Sequence, residues 1–84
     1  MRKFELYYNG YIIGNIEMNN NYFIYTPNKN NIEEIEDESI IFSFLKETLT
    51  IPHPFIISRI ENMDKFGLKN IKYVNSLYEL KEII

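Results

Sequence analysis

Residues 4–17 read FELYYNGYIIGNIE, and the way this stretch folds back on itself decides the sheet. Apolar and polar residues alternate on both sides of Asn9-Gly10, a strong short-range signal for a hairpin. A two-residue loop at Asn9-Gly10 pairs Tyr8 with Tyr11, Leu6 with Ile13 and Phe4 with Asn15. Asn15 and Glu17 then share the face of Phe4 and Leu6, while Ile12, Ile16 and Met18 turn away. Side chains alternate with period two, so such a slip sends a whole apolar set to the wrong face. A three-residue loop of Tyr8, Asn9 and Gly10, with Gly10 left-handed in a G1 bulge, restores the pattern. This reading pairs Tyr7 with Tyr11 and sets Leu6 beside Ile12. It predicts an inner face of Phe4, Leu6, Ile12, Gly14, Ile16 and Met18. The outer face then carries Glu5, Tyr7, Tyr11, Ile13, Asn15 and Glu17.

Outward from the hairpin, alternation predicts strands at residues 3–7, 11–18 and 22–26, with Pro27 closing the third. Helical spacing follows. Asn31 can cap a first turn with Glu34 at its third position. Ile40, Ile41, Phe44, Leu45 and Leu49 then repeat at helical intervals until Thr50-Ile51-Pro52 stops them. Pro54 suits the first turn of another helix, running from Phe55 to about Phe66. Its inward face holds Ile56, Ile57, Ile60 and Met63, and Gly67 suits the position just past its end. Residues 71–75 read as a strand. Ser76 to Glu79 form a capping box that predicts a last helix, with Leu77, Leu80 and Ile83 inward. The expected fold is a small single α+β domain over residues 1–84: a three-stranded antiparallel meander followed by α-α-β-α.

Composition narrows the function. A chain of 84 residues has room for one modest core and little room for a lidded catalytic cleft. Without cysteine there is no disulfide framework, thiolate zinc site or thiol nucleophile. No apolar run reaches membrane-span length and no basic-then-apolar leader opens the chain, so a soluble cytoplasmic protein is expected. Alanine, glutamine and tryptophan are absent while isoleucine and asparagine abound, the mark of an AT-rich bacterial or phage genome.

Few residues offer chemistry. His53, the one histidine, stands between Pro52 and Pro54 with no metal-ligand spacing around it. No Ser lies in a nucleophile turn and the three glycines form no phosphate-cradling loop. Catalytic residues, metals and cofactors are therefore not expected, and the chain reads as a non-enzyme. Net charge is −3. Residues 1–42 carry three basic and seven acidic groups; residues 43–84 carry six and five. Five acids gather at Glu33, Glu34, Glu36, Asp37 and Glu38, either a solvated loop or a patch for a basic partner. A diffuse basic stretch (Arg59, Lys65, Lys69, Lys72) near Phe66 and Tyr73 is the sole pointer to nucleic acid, against an acidic whole. On the outer hairpin face Tyr7, Tyr11 and Ile13, with Tyr25 nearby, read either as core beneath a second helix layer or as a partner surface.

YYNGYIIGNIE followed by YFIYTP resembles the opening of the HipA-type kinases, whose small N-terminal subdomain runs strand, polar turn, V-G-x-L and an F-x-Y strand. IIFSFLKETLTIPHPFIISRI is similar to that family's segment in which F-x-x-F-x-x-L-L-P precedes an Arg-Ile helix. The likeness covers roughly residues 4–60, and the family's S-L-S-L-P-L stretch is missing. No kinase core follows, so the resemblance implies the free-standing HipS-type antitoxin of toxin–antitoxin systems, which restrains a separate kinase-like toxin. The family's restraining contact uses a tryptophan; here His53 or Phe55, after the Leu49-Thr50-Ile51-Pro52 turn, would stand in for it. A second reading stays open beside this one. Small size, acidic charge and AT-rich coding also fit a phage-encoded, anti-CRISPR-like inhibitor that meets a host defence nuclease complex through its acidic run.

Overall fold

The structure is a computed structural model and describes residues 1–37, 39–72 and 77–83. Strands β1 (Arg2–Tyr8), β2 (Tyr11–Asn19) and β3 (Tyr22–Pro27) form the expected meander. Helices α1 (Lys29–Ile32), α2 (Ile40–Phe44) and α3 (Pro54–Phe66) follow, then β4 (Asn70–Lys72) and β5 (Tyr78–Ile83). The five strands make one antiparallel sheet in the order β3-β2-β1-β5-β4. Its inner-face residues Phe4, Leu6, Ile16, Phe23, Tyr25 and Leu80 share a single core with Ile32, Phe42, Leu45, Ile56, Ile60 and Met63 from the helical side. The helices gather on one side. The opposite face, with Glu5, Tyr7, Asn15, Glu17 and Lys81, therefore stays partly or fully exposed.

The hairpin solves its register differently from the expectation. Asn9 (φ 49°) and Gly10 (φ 85°) are both left-handed, the signature of a two-residue type I′ turn. Tyr8 therefore pairs with Tyr11 and Tyr7 with Ile12. The register then shifts, and Leu6 faces Gly14, Phe4 faces Ile16 and Arg2 faces Met18. The extra residue lies in β2, at Ile13, rather than in the loop. Either position adds one residue to β2 and so rescues the faces of Phe4, Leu6 and Ile16. The observed one keeps the turn whose twist matches the strands.

Moving the bulge overturns two residue assignments. Ile13, expected outward, is fully buried, and Ile12, expected inward, is half-buried. Tyr25, also expected outward, is fully buried because it pairs with Ile16 and shares its face. Its hydroxyl donates to the Leu45 carbonyl (2.7 Å), with the Ile13 carbonyl at 3.2 Å also in reach. The bulge leaves β2 carbonyls off the ladder, and neighbouring donors meet them. The Asn28 N–H donates to Ile13 O (2.7 Å) and the Asn31 side chain to Ile12 O (2.8 Å). Asn28, not Asn31, caps α1, its side chain accepting from the Asn31 N–H.

Helix α3 forms as its punctuation dictates. The His53 ring nitrogen Nδ1 accepts the Phe55 N–H (3.1 Å), Pro54 opens the first turn, and Gly67 is left-handed (φ 65°). Leu68 N–H to Met63 O (2.8 Å) and Gly67 N–H to Asp64 O (3.4 Å) complete a Schellman ending. Helix α2 is shorter than expected and starts at a Ser39 cap.

The last expected helix is a strand. In β5, Leu80 points inward between Leu6 and Ile71, while Leu77 and Ile83 are exposed. The residues offer a helical repeat (77, 80, 83) and a shorter strand alternation, with Tyr78 and Leu80 between Glu79 and Lys81. The free edge of central strand β1 decides between them, because its backbone groups border the core and need partners. Ser76, the expected cap, and residues 73–75 of the expected fourth strand lie outside the described residues.

Alternation also turns Arg2 and Glu82 to the helix side, where Arg2 closes the end of the core. Its guanidinium forks to Glu82 (3.0 and 3.0 Å) and to Asp64 of α3 (2.8 and 3.0 Å). Hydrogen bonds from Arg2 hold both carboxyls below their ordinary values of 4.5 and 3.8. Depressed carboxyl pKa values stabilise the fold above the unfolded-state values, and that stability drains away as pH falls through the folded ones. Urea melts should therefore show stability falling from about pH 5 downward. Arg2→Met should cost about 1–2 kcal/mol at neutral pH, mainly by stranding the largely covered Glu82, and should flatten the acid slope. An unchanged acid slope in Arg2→Met would rule this network out as its source.

Candidate functional site

The expected surface of Tyr7, Tyr11, Ile13 and Tyr25 does not assemble, since Ile13 and Tyr25 are core. Tyr7 lies half-buried on the open sheet face, its hydroxyl donating to Glu5 (3.1 Å) and the Lys81 ammonium 5.5 Å from its ring centre. Tyr11 is exposed at the hairpin end.

A different site forms where the inner face of the sheet reaches its edge. Tyr8, like Phe4 and Leu6, points to the helix side, because the two-residue turn keeps it in the strand. Its ring meets Phe42 edge-on (5.3 Å between centroids) and Tyr78 (5.0 Å). Tyr78 in turn meets Phe55 edge-on at 5.0 Å, and the Arg59 guanidinium lies 3.9 Å from the Phe55 ring centre. Arg59 is buried, with its charge held against the Phe55 ring. Between Tyr8, Ile41, Phe55, Leu77 and Tyr78 a surface groove of about 330 Å³ remains, with Asp37 and Ser39 on its rim. Its walls are mainly apolar side chains, contributed by β1, α2, α3 and β5.

Asp37 holds the rim in place. One carboxylate oxygen accepts the Tyr8 hydroxyl and the other the Ser39 N–H (2.8 Å). The Ser39 hydroxyl accepts the Phe42 N–H (3.2 Å) and so starts α2. The Tyr8 hydrogen bond, then the Ser39 backbone, pull the Asp37 carboxyl below 3.8. The same bond to Asp37, then burial, pushes the Tyr8 phenol above 10.0. Burial raises the Tyr78 phenol from 10.0 to about 12. The groove therefore presents one fixed anion beside neutral aromatic walls.

Of the other expected residues, Glu33, Glu34 and Glu36 are exposed and lead up to Asp37, while Glu38 lies outside the described residues. His53 is half-buried as the α3 cap, with its ring 5.5 Å from that of Phe44. Phe55 lines the groove. The basic stretch loses its first member, because Arg59 is buried, and Lys69 lies 3.9 Å from Glu82.

Tyr8, Ile41, Leu77 and Tyr78 were not legible as site residues. Alternation alone places Tyr8 in the loop, and the capping box places the last two on a helix. A Tyr at an inward strand parity (4, 6, 8) was the signal available.

A larger cleft of about 460 Å³, beside Pro27 and Ile32, sets Lys29 and Lys46 against Glu33 and Glu47 and so has no dominant charge. Among the described residues no group of three His, Asp or Glu could hold a metal ion. No described helix is long and apolar enough to cross a membrane. Compared with family models, curated proteins and solved structures, the chain matches none.

Proposed function

We propose that the chain is a protein-binding module that docks on a partner protein and restrains it, as an antitoxin restrains a kinase-like toxin. The observation that carries this reading is the apolar groove at Tyr8, Ile41, Phe55 and Tyr78, with exposed Leu77 in its wall. Large apolar side chains gathered at a solvent-facing recess mark an interaction site more often than a resting surface. The HipA-type resemblance supplies the partner class, and Phe55 is the residue on which resemblance and groove coincide.

Tagged protein expressed in its native host should co-purify a kinase-like protein encoded beside it. Leu77→Ser, a change at an exposed groove wall, should lose that partner. Recovery of no kinase-like protein would sink the antitoxin reading.

The exposed Glu33, Glu34 and Glu36 favour a second reading, an anti-defence inhibitor that covers a basic surface. Under it, replacing the three by glutamine should abolish inhibition of a host nuclease complex. Full inhibition by that variant would exclude it.

A further inference from the structure

We infer that the groove receives a partner segment in which an aliphatic or aromatic side chain is flanked by lysine or arginine; this deepens the protein-binding reading and rests on it. Two features set the chemistry of the occupant.

The first is the recess itself. It is a shallow, open depression of about 330 Å³ lined by Tyr8, Ile41, Phe55, Leu77 and Tyr78, against which one or two apolar side chains can lie. Such walls favour apolar atoms and offer few polar groups to a polar occupant.

The second is the charge of its rim. The segment that ends in Asp37 also carries exposed Glu33, Glu34 and Glu36, and no basic residue occurs between Lys29 and Lys46. Among the described residues no cation lies within ion-pair distance of Asp37, although the Lys46 charge helps to lower its carboxyl. Arg59 is buried against Phe55, and the Lys46 ammonium lies 5.3 Å from the Phe42 ring centre. One Asp37 oxygen accepts the Tyr8 hydroxyl and the other the Ser39 N–H, the Ser39 hydroxyl adds to them, and a carboxylate has about four lone-pair positions for donors. A lysine or arginine beside the inserted side chain can therefore reach the carboxylate without undoing the Tyr8 bond. An acidic segment would meet like charge there and be disfavoured.

Within the chain such chemistry occurs at Met1 to Lys3, at Lys69 to Lys72 and, with Phe66 and Leu68 exposed, at Lys65 to Lys69. Each is engaged within its own molecule, the first through Arg2. The Lys65 ammonium lies 5.4 Å from the Phe66 ring centre and Lys69 approaches Glu82 at 3.9 Å. The occupant is accordingly a different protein rather than a second copy.

The test titrates isotope-labelled protein with a blocked synthetic peptide, GRLFRG, and with its charge-reversed twin, GELFEG, and follows backbone and methyl resonances. GRLFRG should shift Tyr8, Ile41 and Leu77. The twin should bind at least about tenfold more weakly, and the difference should shrink as salt rises. Several outcomes would overturn the inference: no shift with GRLFRG up to its solubility, equal response to both peptides, or shifts centred away from the groove. Groove shifts produced by raising the protein concentration alone would also overturn it, in favour of a second copy. The co-purification described above reads the protein-binding proposal independently, so the two fail separately.

Discussion

Gly14→Ala should cost about 2–4 kcal/mol, a large share of the roughly 5–10 kcal/mol that holds a domain of this size together. A methyl group at position 14 would lie 2.3 Å from Tyr25 Cε1, 2.5 Å from Cζ and 2.6 Å from the hydroxyl oxygen. The ring has nowhere to retreat. It is fully buried, paired opposite Ile16, and its hydroxyl is tied to the Leu45 carbonyl. The β3 backbone at Tyr25 is fixed as well, exchanging both hydrogen bonds with Leu49 (2.8 and 3.0 Å). Accommodating the methyl means breaking the hydroxyl bond or opening the β2–β3 ladder. Urea or thermal melts would register the change as roughly 4–8 °C per kcal/mol. Tyr25→Leu removes the obstructing ring at its own cost of about 2–4 kcal/mol. The double variant should be more stable than the two losses added together, by about 1–2 kcal/mol. Simple additivity would mean that the ring does not set the requirement for glycine.

Leu80→Ala should cost about 2–5 kcal/mol, whereas Leu77→Ala and Ile83→Ala should each cost about 1 kcal/mol or less. Leu80 is fully buried, opposite Leu6 on one side and Ile71 on the other. Leu77 is 48% exposed and Ile83 44% exposed. A helix with all three residues inward would give three comparable losses. The pattern of one large and two small therefore tests β5 directly, and equal losses would refute the strand.

These two sites also mark where reading the residues succeeded and where it stopped. Caps and breakers are local, so the meander and α3, with Pro54 in its first turn and Gly67 past its end, were legible from the sequence alone. The hairpin was half legible. Apolar alternation requires one extra residue in β2, but it is indifferent to whether that residue sits at the turn or beyond it. The choice at Ile13 depends on what receives the bulge carbonyls, namely Asn28, Asn31 and Tyr25, which lie on other elements. β5 was illegible for a related reason. Its residues satisfy two periodicities, and the deciding factor is the unfilled edge of β1 at the far end of the chain. The groove inherits both errors, since Tyr8 depends on the turn and Tyr78 on the strand. Phe55 depends on neither, because it lies on α3, whose start is fixed by local punctuation.

The pairing of β1 with β5, Lys3 opposite Ile83, has a consequence for the order of folding. β1 is the centre of the sheet, yet one of its edges is filled by the segment most distant from it in the chain. The meander can close early over short loops, but this last pairing must overcome the entropy of a loop that spans most of the molecule. Until β5 arrives, Phe4 and Leu6 border an open ladder and the groove lacks Tyr78. Ribosome-bound chains should therefore hold a sticky half-sheet, and the groove should be complete only once β5 has been made.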